Sequence, residues 1–148
     1  MTQVPICHVD ELPVGERKIV ELEGKSIGVF NIEGKYYAAS NTCPHRGGPV
    51  CTGRVGNELL ADFVGVGLRV KEHFGPNLVL ACPWHGWEFN METGVHLGDP
   101  QISLPVYKVI VQDKELFIEI LFSISSMVNL TRVRANYGLW KSISPHLN

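Results

Sequence analysis

Four residues hold the chemistry of this 148-residue chain. Cys43 and His45 lie in Thr42-Cys43-Pro44-His45-Arg46-Gly47-Gly48, and Cys82 and His85 lie in Ala81-Cys82-Pro83-Trp84-His85-Gly86-Trp87. Each segment offers one thiolate and one imidazole, the side chains that bind transition metals best. Proline after each cysteine holds the preceding residue extended. In Cys43-Pro44-His45 an extended chain puts both ligands on one side, whereas the longer spacing from Cys82 to His85 needs a tight turn. Gly47, Gly48 and Gly86 follow the histidines where backbone must come close to something, and their N–H groups are candidate donors to sulfur.

Two metals compete for such a set. Zinc accepts two Cys and two His, but its sites usually pair Cys with Cys and His with His. Here Cys is paired with His twice, and one spacing is shorter than zinc motifs use. That arrangement suits a binuclear centre in which one iron takes both thiolates and the other both imidazoles. The other two cysteines, Cys7 and Cys51, read as free buried thiols, because nothing else argues for an oxidising compartment. His8, His73, His96 and His146 are scattered, each read as surface or core. Arg46 reads as solvated or as the contact for a partner carboxylate. Phe89 reads as core, and Trp84 and Trp87 as a shield over the site or a docking surface.

The elements that must position these loops read as strands. Hydrophobic residues make up 45% and charged residues 19% of the chain, as in a globular protein. The net charge of -2 and the lack of a basic run argue against nucleic acid, and no apolar stretch is long enough to span a membrane. No basic and apolar leader opens the chain, so the sequence reads as cytoplasmic. Strands are expected at 4–9, 18–23, 26–32 and 35–40, with turns at Gly24-Lys25 and Glu33-Gly34. A further strand, 77–81, delivers the second loop, and 88–90 leaves it. Residues 106–112 and 115–121 form a closing hairpin around Asp113-Lys114. The body, residues 1–122, is therefore all-β.

Two segments stand apart. Between Arg46 and Ala81 the connection is long, and its middle, about 57–76, is an apolar stretch read as a strand pair or a short helix, expected to pack near the site and cover one side. In the C-terminal extension, 123–148, Met127, Leu130, Val133, Tyr137 and Trp140 recur at helical steps. The extension has three cations and no acid, against ten cations and fifteen acids before it. It reads as a helix packed on the body, or as a contact for a partner or a second copy in a homo-oligomer.

Taken together, C-P-H-R-G and C-P-W-H-G-W resemble the two boxes of the Rieske [2Fe–2S] domain family, over most of residues 1–121. The resemblance implies an antiparallel β-sandwich with a small cluster-binding subdomain, and it makes about 57–76 an insertion relative to the short Rieske ferredoxins. It also implies Cys43 and Cys82 on the inner iron, and His45 and His85 on the outer, more exposed iron. High-potential respiratory members have a disulfide where this chain has Gly48 and Trp84. They have Ser and Tyr hydroxyls where it has Trp87 and Phe89. Without those donors the reduced cluster is less stabilised, so the expected potential lies at the low end of the Rieske range, of order -150 mV. The chain resembles soluble Rieske ferredoxins that pass single electrons from a flavin-dependent reductase to a terminal, ring-hydroxylating oxygenase. A small subunit of a larger redox enzyme, such as a nitrite-reductase-like complex, is the second reading, and a zinc or regulatory module the third. Too few residues follow the domain for a separate catalytic iron site, so an electron-transfer component rather than a lone catalyst is implied.

Overall fold

The computed structural model describes residues 1–121, so the expected C-terminal helix falls outside the described residues. Among the described residues, ten strands form three antiparallel sheets. The first sheet joins the two ends of the body: β1 (Thr2–His8) pairs with β10 (Glu115–Ile120), which pairs with β9 (Val109–Gln112). The second runs β2 (Arg17–Leu22), β3 (Lys25–Ile32), β4 (Lys35–Ser40), β8 (Val106–Tyr107). The third consists of β5 (Arg54–Asp62), β6 (Lys71–Ala81) and β7 (Glu88–Asn90).

Local chemistry sets the hairpins. Glu23-Gly24, Glu33-Gly34 and Asp113-Lys114 all have positive φ at both residues. Paired positive φ is the mark of the type I′ turn, whose twist matches that of flanking strands. The first turn therefore sits one residue earlier than the sequence reading put it. The expected strand 106–112 is broken at Lys108. Tyr107 and Val106 pair with Ala38 and Ala39 in the second sheet, whereas Val109 pairs with Ile118 in the first.

The middle sheet separates two cores. Ile27 and Val29 of β3 and Ala38 of β4 face a core completed by Val4, Leu116 and Ile118 of the first sheet. Phe30 and Ala39 point the other way, into a core with Val50, Cys51, Leu80, Phe89 and Leu104. Period-two alternation on a strand buried on both faces produces this division. The second core also contains Cys43 and Cys82, so the third sheet and its loops are held to the body by the packing that buries those sulfurs.

The insertion is a strand pair, and it does not cover the site. β5 and β6 form a long arm, and among the described residues no layer packs on either face of its outer half and tip. Phe63, Val66 and Phe74 are 77%, 94% and 76% exposed, and Leu59, Leu68 and Val70 are exposed as well. β6 runs through Gly75-Pro76, which looks like a breaker in the sequence. A register shift between Asn57 and Leu59 lies opposite it, where the ladder does not need the missing proline N–H. Glu58, buried at this irregularity, accepts from the Asn77 backbone and side-chain N–H groups.

Candidate metal centre

The two loops are built alike although their ligand spacings differ. In the first, the Cys43 N–H donates to Gly48 O and the Gly47 N–H to Cys43 O, at 2.9 and 2.8 Å. In the second, the Cys82 N–H donates to Trp87 O and the Gly86 N–H to Cys82 O, at 2.8 and 2.9 Å. Gly47 and Gly86 take φ of 74° and 70°, the left-handed conformation that closes each turn. The amides of Gly47 and Gly86 are thus used on cysteine carbonyls, which corrects the expectation that these two donate to sulfur. The backbone N–H groups of His45 and Arg46 act on Cys43 in the opposite sense to burial, lowering its pKa.

Distant residues hold the loops in place. The Asn41 side chain accepts from the Cys51 N–H and donates to Ser26 Oγ, and Thr42 bridges to Pro49. Arg17 donates to Cys51 O and Gly53 O at 2.9 and 2.6 Å, fastening the chain where it leaves the first loop for β5. β6 enters the second loop, and β7 leaves it.

Cys43 and Cys82 are buried in the same core, His45 is half-buried, and His85 is exposed. Burial, and next the neighbouring Cys82 thiol, raise the Cys43 pKa. Burial, with the nearby His85 and Arg46, lowers that of His45, so its imidazole is neutral at neutral pH and has a lone pair to give. Among the described residues, His45 Nδ1 is the buried side-chain nitrogen or oxygen with no hydrogen-bond partner. The His45 and His85 rings lie 4.7 Å apart at 81°. Paired thiols, an orphaned imidazole nitrogen and a second imidazole at the surface fit a group bound by soft sulfur inside and nitrogen outside. Among the described residues, no three His, Cys, Asp or Glu side chains converge on one ion position.

The neighbouring residues divide by role. Trp87 is stacked on His45, with centroids 4.2 Å apart and planes 11° from parallel. Trp84, 57% exposed, lies over Gly48: a Cβ there would stand 2.8 Å from Trp84 Cδ2 and 3.1 Å from Cys82 Sγ. Phe89 is fully buried, as expected, and Arg46 is exposed. Cys7 and Cys51 are free buried thiols. His96, read from the sequence as incidental, is at the site: its ring lies 4.7 Å from Trp87 and 5.4 Å from Phe89. Nothing about an isolated histidine marks it in the sequence; the local 88–96 strand–turn return, in which Phe89 bridges to His96, brings it to Trp87.

Paired thiols behind paired imidazoles on an all-β scaffold define a class, that of iron–sulfur proteins made for one-electron transfer. Residues 2–119 match the family model of the Rieske-like [2Fe-2S] domain, and the chain belongs to that family, with a [2Fe–2S] cluster as its cofactor. It is 27% identical over 121 residues to the 3-phenylpropionate/cinnamic acid dioxygenase ferredoxin subunit of Photorhabdus laumondii, covering 81% of this chain and 96% of that one. It is 26% identical over 144 residues to human apoptosis-inducing factor 3, covering 97% of this chain but only 20%, about a fifth, of that much longer protein. Among solved structures, the small subunit assigned to an NADH-dependent nitrite reductase of Mycobacterium tuberculosis superposes with a TM-score of 0.65 at 22% identity, covering 82% of this chain and 97% of that one. Among the described residues no helix is long and apolar enough to cross a membrane.

Proposed function

We propose that this protein is a low-potential Rieske ferredoxin of the cytoplasm that receives single electrons from a flavin-dependent reductase and delivers them to a terminal oxygenase of the ring-hydroxylating type. Cys43 and Cys82 hold the inner iron of its cluster, and His45 and His85 the outer. The observation that carries this reading is the gradient of exposure across the four residues, from the buried thiols through half-buried His45 to exposed His85. The bound cluster supplies one-electron chemistry. The chain's own residues supply the rest. Phe89, Val50 and Leu80 keep water from the sulfur side. The amides of His45 and Arg46 favour the thiolate of Cys43. His85 offers a partner the shortest way in. Similarity to a dioxygenase ferredoxin subunit over nearly that protein's whole length supports the choice of partner class.

The test is EPR of the dithionite-reduced protein together with iron and sulfide content. The expected result is a Rieske-type signal that is lost or replaced in His45→Ala and His85→Ala. A colourless protein that purifies with zinc would sink the reading. Reduction by a flavin reductase and turnover of a ring-hydroxylating oxygenase then test the partners.

One observation favours a second reading, a subunit held permanently in a larger redox enzyme: the apolar residues exposed along the arm are unusual for a free carrier. Purification from the native source as a lone chain would exclude it.

A further inference from the structure

His45 and His85 are not held alike. His85 is exposed, and its ring meets that of His45 edge-on. His45 instead has one whole face covered by the Trp87 indole. The half-buried indole, packed on the second core, has a further ring against it, that of His96, 4.7 Å away and tilted by 50°. The His96 ring in turn is fixed on two sides. Its Nδ1 accepts the backbone N–H groups of Gly98 and Asp99 at 3.1 and 2.9 Å, so turning the ring over breaks two hydrogen bonds. Its other side rests at 66° on the fully buried ring of Phe89. The backbone is fixed too, by the bridge from Phe89 to His96 and by the His96 N–H donating to Ile102 O at 3.0 Å. Four rings thus run from the core to the site, each oriented by the one before.

We propose that His96 is a positioning residue for the His45 imidazole, acting through the Trp87 indole. The proposal rests on the reading of His45 as an iron ligand. Its consequence is that the two imidazoles are inequivalent: one is clamped in its plane and the other turns with its loop. A ligand ring held at one angle presents one orbital overlap to iron, and that overlap is felt in the potential and in the nitrogen coupling.

Two substitutions separate the ring from the loop it caps. His96→Phe keeps an aromatic ring behind Trp87 but has no acceptor for Gly98 and Asp99. His96→Asn keeps an acceptor and removes the ring. Nitrogen ENDOR on the reduced holoprotein, with the midpoint potential and iron content, reads the outcome. The expected result is wild-type nitrogen couplings and potential in His96→Phe, and a shift of one of the two couplings together with the potential in His96→Asn. Loss of iron from His96→Asn alone supports the proposal as well. The reverse pattern, wild-type behaviour in both variants, or loss of iron from both overturns it. If the wild-type protein shows no nitrogen coupling, the ligand reading itself has failed, whatever the variants do.

Discussion

At the scale of single residues, close approach decides more than composition does. Gly48 is tolerated because the Trp84 ring occupies the space a side chain would take. Gly48→Ala is expected to push Trp84 outward and strain the second loop. We expect a cost of about 1–3 kcal/mol, as for overpacking, and faster release of iron under chelator, read by loss of visible absorbance. Cys51 obeys the same rule: a Cβ on Gly28 would come within 2.5 Å of its Sγ. Burial pushes the Cys51 thiol up to about 12 from 9.0. An acid whose folded pKa is raised makes no difference below its unfolded value, because both states are protonated. Above it the unfolded chain gives up its proton first, so stability falls as pH rises from about 9 towards 12. At about 1.36 kcal/mol per pKa unit the effect is on the order of several kcal/mol at the top of that window. Denaturation midpoints of wild type and Cys51→Ala between pH 8 and pH 11, roughly the lower part of that window, should show a steeper decline in the wild type. Parallel slopes would mean the thiol is not the source.

At the scale of elements, the arm is the departure from a minimal two-loop carrier. Its β6 strand, eleven residues long, extends roughly 35 Å at about 3.3 Å per residue, and its tip lies at the end of that strand away from Cys82. Contacts made by the tip therefore leave the exposed His85 side free. Because Phe63 and Phe74 are 77% and 76% exposed, Phe63→Asp and Phe74→Glu should change stability by no more than about 0.5 kcal/mol and leave the EPR signal intact. They should lower any self-association or partner binding seen by light scattering. A large loss of stability would show that the arm is covered by another part of the chain. The base of the arm is different. A Cβ on Gly53 would stand 1.7 Å from Ala81 O, so Gly53→Ala must force apart the strands that deliver the second loop. Poor cluster loading at wild-type expression is the expected outcome.

At the scale of the whole molecule, the property to measure is the redox potential. No serine or tyrosine stands at positions 87 and 89, which hold a stacked indole and a buried phenyl ring. Without hydroxyl donors the midpoint should lie at the low end of the Rieske range, of order -150 mV. A clearly positive midpoint in a redox titration rules out that account. Imidazoles bound to ferric iron are made more acidic by it, so the potential should fall as pH rises through the alkaline range. A flat profile would argue against histidine ligation.

The sequence by itself determined the all-β class and singled out the four candidate ligands by type and spacing, because these are local: metal preference belongs to side chains, and hairpin turns belong to dipeptides such as Glu33-Gly34 and Asp113-Lys114. Only the tertiary structure decided that Lys108 divides one apparent strand between two sheets, since alternation is the same in both. The arm was undecided for a related reason: apolar residues announce burial, and whether a covering layer exists is not written in the segment itself. The opposite held for His96. An isolated histidine carries no pattern, and it became part of the site because the 88–96 return placed its ring against Trp87.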